Sequence, residues 1–167
     1  MILLVVPAPR TPILTDSLIS TSTITNTAAE STIYTTTLPV HALQPGTHFE
    51  LDLQGIISSV ASFNGIATFR FYINSTLLGT LTSTAANRTL IPCQISAHLT
   101  CRSSGPTGSI ISFLSWEESA DLKLASSGVV VLDTTAIHTR SITVQFATAS
   151  VNNTISIEQA SLLTTAL

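Results

Sequence analysis

Charge is what this chain has least of. Its 167 residues include six Lys/Arg and nine Asp/Glu, 9% in all, for a net charge of −3. An average soluble domain is roughly 25% charged. Six cations cannot supply the basic footprint of nucleic-acid binding, so no nucleic-acid partner is expected. No apolar run approaches the about 18 residues of a membrane helix, so no membrane partner is expected either. Aromatic residues are only 5% of the chain, which is sparse for a sugar-binding platform of exposed rings. Glycine is absent before Gly46, and no helical period extends over ten residues. Cysteine occurs twice, as Cys93 and Cys101. On one extended strand the two lie about 27 Å apart, far beyond disulfide reach, so both are expected to be small buried hydrophobes.

Serine and threonine fill the gap, at close to three residues in ten. From residue 31 they alternate with apolar residues at a period of two, the mark of half-buried strands. Strands are expected at Thr32–Leu38, His48–Ile57, Ala67–Ile73, Thr76–Ser83, about 89–102, Ser109–Trp116, His138–Thr148 and Thr154–Leu163. The inward set of the last strand shifts from Ile155 and Ile157 to Ala160 and Leu162, which places a bulge at Glu158-Gln159. Ser109–Trp116 carries apolar residues on both faces and is expected to be covered on each side. Trp116–Asp121 reads as an acidic loop, Leu122–Ala125 as a short edge strand and Gly128–Asp133 as the start of a buried one. Eight or nine short antiparallel strands make a β-sandwich, and this number in roughly 130 residues favours a jelly roll.

Residues 1–30 read differently. Met1–Val6 is apolar but has no positive flank and stops at Pro7, so it does not match a secretory signal. Pro7, Pro9 and Pro12 keep the backbone extended and remove donors. This segment is expected to be an extended N-terminal arm, with residues 31–167 as the sandwich. The arm's apolar side chains Ile2, Leu3, Leu4, Val5, Val6, Ile13, Leu14 and Leu18 are costly in water and are expected to lie on a partner.

Chemistry is not evident. His41, His48, His98 and His138 are scattered, with no metal-ligand spacing, and no G-x-S-x-G or phosphate-binding glycine motif occurs. Glu50 and Asp52 share a strand face about 7 Å apart, within range of a glycosidase pair but ordinary for a solvated face. Glu117, Glu118 and Asp121 could gather a hard cation, though a solvated loop accounts for them as well. Asn74-Ser75-Thr76, Asn87-Arg88-Thr89 and Asn152-Asn153-Thr154 fit the glycosylation pattern but are also turn chemistry. The expectation is a protein that is not an enzyme, with no catalytic residue, metal or cofactor.

Several stretches carry a resemblance: Glu30–Pro39, Leu43–Thr47, Phe69–Leu78, Leu99–Arg102 and Val144–Ile157. Their succession of strands and turns resembles the jelly-roll virion proteins of tailed bacteriophages, which serve as capsid decoration (cement) proteins, head fibres or receptor-binding tips. The resemblance implies a structural protein of the virion, assembled in the host cytoplasm as a homotrimer and attached to the major capsid protein on the outer shell. A receptor-binding or fibre-tip module is the alternative, although no coiled-coil shaft is present. Outward strand residues Gln94, Ser96, His98 and Thr100, or Thr143 and Gln145, are the expected contacts between copies.

Overall fold

The computed structural model describes residues 13–17, 21–60, 66–83, 87–119 and 121–165, and for 13–17 the backbone alone. The described residues form eleven strands: β1 (Ile13–Ser17), β2 (Ser22–Thr25), β3 (Ser31–Leu38), β4 (His48–Ser59), β5 (Ala67–Ile73), β6 (Thr76–Thr82), β7 (Arg88–Ser103), β8 (Gly108–Glu118), β9 (Asp121–Leu132), β10 (His138–Phe146) and β11 (Thr154–Thr165). They build two antiparallel sheets. The large sheet runs β1-β11-β4-β7-β8-β9, with β2 also paired to β11, and the small one runs β3-β10-β5-β6. The chain is all-β, arranged as a sandwich.

Alternation makes the core. Phe49, Leu51 and Leu53 of β4, Ile95, Ala97 and Leu99 of β7, and Ile155, Ile157, Ala160 and Leu162 of β11 turn inward from the large sheet. Phe69, Phe71 and Ile73 of β5 and Ile142, Val144 and Phe146 of β10 meet them from the small one. Each of the larger aliphatic and aromatic side chains among them contributes about 1.5–3 kcal/mol of burial. Phe69 stacks on Trp116 across the two layers, with ring centroids 4.4 Å apart. Cys93 and Cys101 are free and buried. Burial, with the Glu118 carboxylate nearby, pushes the Cys93 thiol up to about 12, so it behaves as a small hydrophobe.

The expected bulge in β11 is present: pairing with β4 slips between Ile157 and Gln159. At the centre of the sheet Gly55 lies opposite both Cys93 and Ile157. A Cβ there would land on the Ser156 carbonyl oxygen, so only glycine lets the strands approach this closely.

Several expectations need correction. Residues 13–17 and 22–25, expected as parts of an arm lying on a partner, pair with β11 of the same chain. The β-branched and hydroxyl residues of this segment suit a strand, and β11 offers it a free edge. The acidic stretch Trp116–Asp121 is no open loop: β8 continues to Glu118 and β9 begins at Asp121. The two segments expected at 122–125 and 128–133 are one continuous edge strand, β9. Val129 and Val131 on it are more than half exposed, as is Phe113 on β8, so neither strand is covered on its outer side. Val151-Asn152-Asn153, a sequence suited to a hairpin turn between β10 and β11, does not close one. It carries the chain from β10 in one sheet to β11 in the other. The buried Asn153 holds this crossing: its Oδ1 accepts from the Val60 amide at 3.0 Å and its Nδ2 donates to the Thr148 carbonyl at 2.9 Å.

Candidate functional site

The outer face of the large sheet carries two adjoining surfaces. The first lies on β4 and β7, where antiparallel register sets His48 opposite Thr100, Glu50 opposite His98, Asp52 opposite Ser96 and Gln54 opposite Gln94. Outward residues at every second position thus form a polar ladder. Gln94, Ser96, His98 and Thr100 share this face, as alternation predicts, but they are engaged with β4. Ser96 is buried and donates to Asp52 Oδ1 at 2.5 Å, while Gln94 Nε2 donates to Ser96 Oγ at 3.1 Å.

At the other end of the ladder the two histidines meet. Their rings stack with centroids 5.5 Å apart and planes 28° apart. His98 Nδ1 lies 3.4 Å from His48 Nε2, and His48 Nδ1 lies 3.0 Å from Thr100 Oγ1. One ring nitrogen of each histidine and a carboxylate oxygen of Glu50 all lie within 4.8 Å of one another, each residue half-buried. The expectation of scattered histidines therefore fails for this pair. Fifty residues of sequence separate them, and only the β4–β7 register brings them together.

The second surface lies on β8 and β9. Between Ile111↔Val129 and Phe113↔Ser126, β9 advances three residues while β8 advances two. The extra residue is a bulge, with Gly128 at φ +66° and Ser127 Oγ accepting from the Ser112 amide at 3.0 Å. The slip resets the parity of β9. Leu122 and Leu124 before it and Val129 and Val131 after it all point outward, together with Phe113 of β8. Each of the five is more than half exposed, and among the described residues β9 is a free edge of the sheet. Alternation alone missed this surface, because a break of period inside β9 reads as two strands.

Beneath the tip of the same hairpin sits an ion cluster. Arg88 Nε lies 2.6 Å from Glu118 Oε2 and Lys123 Nζ lies 2.7 Å from Asp121 Oδ1, with Arg88, Glu118 and Asp121 almost wholly buried. The carboxylates considered for a hard cation are thus answered by the chain's own cations, while Glu117 is exposed.

Part of the small sheet's outer face, on β5 and β10, is taken up by the chain's own residues. Thr143, expected as a contact, is buried and donates to Glu30 Oε1 at 2.6 Å. Tyr72 Oη donates to the same oxygen at 2.9 Å, and Arg70 Nη1 pairs with Glu30 Oε2 at 3.1 Å. Gln145 Nε2 donates to the Ala28 carbonyl at 3.1 Å. The Thr143 hydrogen bond, helped by Tyr72 and Arg70, holds the Glu30 carboxyl below the usual glutamate range. Thr143 and Gln145 thus serve the chain's own Ala28–Glu30 segment.

Of the arm residues expected at an interface, Ile13 and Leu14 pair through their backbones with Thr164 and Leu163. Ile2, Leu3, Leu4, Val5, Val6 and Leu18 lie outside the described residues. A cleft of about 540 Å³ opens between the sheets, lined in part by Leu38, Ala42, Phe49 and Leu162. Deeper in the core Arg140 is wholly buried, its guanidinium 5.4 Å from the Phe71 ring centre and 5.7 Å from that of Phe49. Burial pulls it down to about 10, which leaves it charged at neutral pH. No family of proteins matches this chain, and no curated protein and no solved structure is significantly similar to it.

Proposed function

We propose that this chain is a structural protein of a virion: a jelly roll that assembles as a homotrimer and decorates the outer surface of a capsid, attached to the major capsid protein. The observation that carries the reading is the exposed apolar face of β8 and β9, with Phe113, Leu122, Leu124, Val129 and Val131 beside a free sheet edge. Monomeric proteins seldom leave a contiguous apolar patch of this kind in water. Its position at an unpaired edge favours burial against another copy, which would also protect the edge strand.

Strand order supports the jelly-roll reading. Such a roll folds a long hairpin over, so that the first strand pairs with the last, the second with the last but one, and successive pairs fall in alternate layers. Here β1 and β2 pair with β11 in one sheet, β3 pairs with β10 in the other, and β4 and β7 continue the first while β5 and β6 continue the second. The β8–β9 hairpin then extends the first sheet beyond the roll and carries the apolar face. The sparse charge fits the same role, since the centres of interfaces are depleted in charged residues.

Light scattering on the full chain after size exclusion tests the assembly. A mass three times that of one chain is the expected result, and a monomer at micromolar concentration overturns it. Negative-stain images of particles labelled for this chain test the location. Label spread over the shell supports decoration, and label confined to a tail or fibre tip replaces it with receptor binding.

A further inference from the structure

We propose that His48, Glu50 and His98 form a binding site for a first-row divalent metal ion of the zinc class, independent of any role in assembly. Two imidazoles and one carboxylate are a donor set that zinc takes readily. The two strands supply them by simple geometry: His48 and Glu50 are two residues apart on one face of β4, and His98 stands directly across from Glu50 on β7.

The spacing of the two histidines suits a pair of ligands on one metal ion. His98 Nδ1 and His48 Nε2 are 3.4 Å apart, longer than the usual 2.7–3.2 Å of an N–H hydrogen bond. It is the separation that two ligands on one tetrahedral ion adopt, about 3.4 Å for metal–nitrogen bonds of about 2.0–2.1 Å. Thr100 completes the arrangement. With His48 Nε2 turned to the metal, Nδ1 carries the proton and donates it to Thr100 Oγ1 at 3.0 Å, which fixes the ring's tautomer and direction as a supporting hydrogen bond does at metal sites. Glu50 needs only a side-chain adjustment from within 4.8 Å to close the third position. Because all three ligands stand on the outer face of the sheet, the fourth position opens away from the core, to water or an incoming ligand.

The test uses the full chain without an affinity tag, stripped with a chelator and titrated with Co²⁺, then with Zn²⁺. One Co²⁺ per chain, with visible absorption bands of a tetrahedral or five-coordinate site that Zn²⁺ displaces, is the expected result. Thr100→Val is expected to weaken binding roughly tenfold, and His98→Gln and Glu50→Gln to weaken it further. Glu117→Gln, a carboxylate on the same sheet face but outside the site, leaves it unchanged. Failure of the folded wild-type chain to take up either metal at 100-fold excess overturns the proposal. So does a His98→Gln chain that binds cobalt as tightly as wild type. Near-UV circular dichroism of the buried Trp116 reports whether each variant is folded, and if His98→Gln is not, Glu50→Gln decides by the same criterion.

Discussion

The two sheets present opposite outer faces. The small sheet satisfies itself: Glu30 gathers Thr143, Tyr72 and Arg70, and Gln145 holds the Ala28 carbonyl. The large sheet divides its face between a polar ladder on β4 and β7 and bare hydrocarbon on β8 and β9. Both sheets are built from the same hydroxyl-rich alternation. The difference comes from what lies over them, and it is why the proposed assembly uses the large sheet.

The strongest way to break this contrast is to remove the anchor under the apolar hairpin. Arg88→Met strands the buried Glu118 carboxylate and weakens the hold on Asp121, and is expected to cost about 3–5 kcal/mol in denaturant unfolding. A cost near zero would mean that the ion cluster does not anchor β8 and β9. Next, Phe113→Asp with Val131→Lys places charges on the apolar face. The fold is expected to survive, since both side chains are exposed, while the dissociation constant of the assembly rises at least tenfold, about 1.4 kcal/mol, as read by light scattering across a dilution series. Unchanged assembly would move the interface elsewhere.

Glu30→Ala sharpens the other side. It removes the acceptor shared by Thr143, Tyr72 and Arg70, and is expected to cost about 1–2 kcal/mol of stability with the oligomer intact. If assembly is lost instead, the small sheet is the contact. The smallest effect is one of pH. Because the folded state holds the Glu30 carboxyl below its unfolded value, its stabilisation is fully present above the unfolded value, about 4.3, and fades as pH falls through the folded one. The stability difference between wild type and Glu30→Gln is therefore expected to shrink as melts are repeated from pH 6 down to pH 3. A difference that stays constant over this range would show that the carboxylate charge is not what closes the small face.

Much of the fold was legible because alternation is a local property. Phe69, Phe71 and Ile73, or Ile142, Val144 and Phe146, declare their inward face without knowledge of their neighbours, and the shift from Ile157 to Ala160 declares the bulge in β11. The site was less legible because register is not local. Nothing near His48 announces that His98 will stand beside it. The bulge at Gly128 hid the apolar face for a related reason: one extra residue reverses the parity of β9, so Leu122 and Val129 look like members of different faces. In the arm, proline near the start argues against a sheet, while the serine- and threonine-rich residues that follow pair with β11.

The position of β11 has a consequence for how the protein is made. This last strand lies between β4 on one side and β1 and β2, the first strands of the chain, on the other. On the ribosome, β1 and β2 must wait until β11 is made before their partner exists. The large sheet therefore closes only after β11 has been made, and its contacts join residues of high sequence separation, which places folding in the millisecond-to-second range of non-local β proteins. During that wait the β11-facing edge of β4 and the β8–β9 face are open together, a combination that favours association of incompletely folded chains.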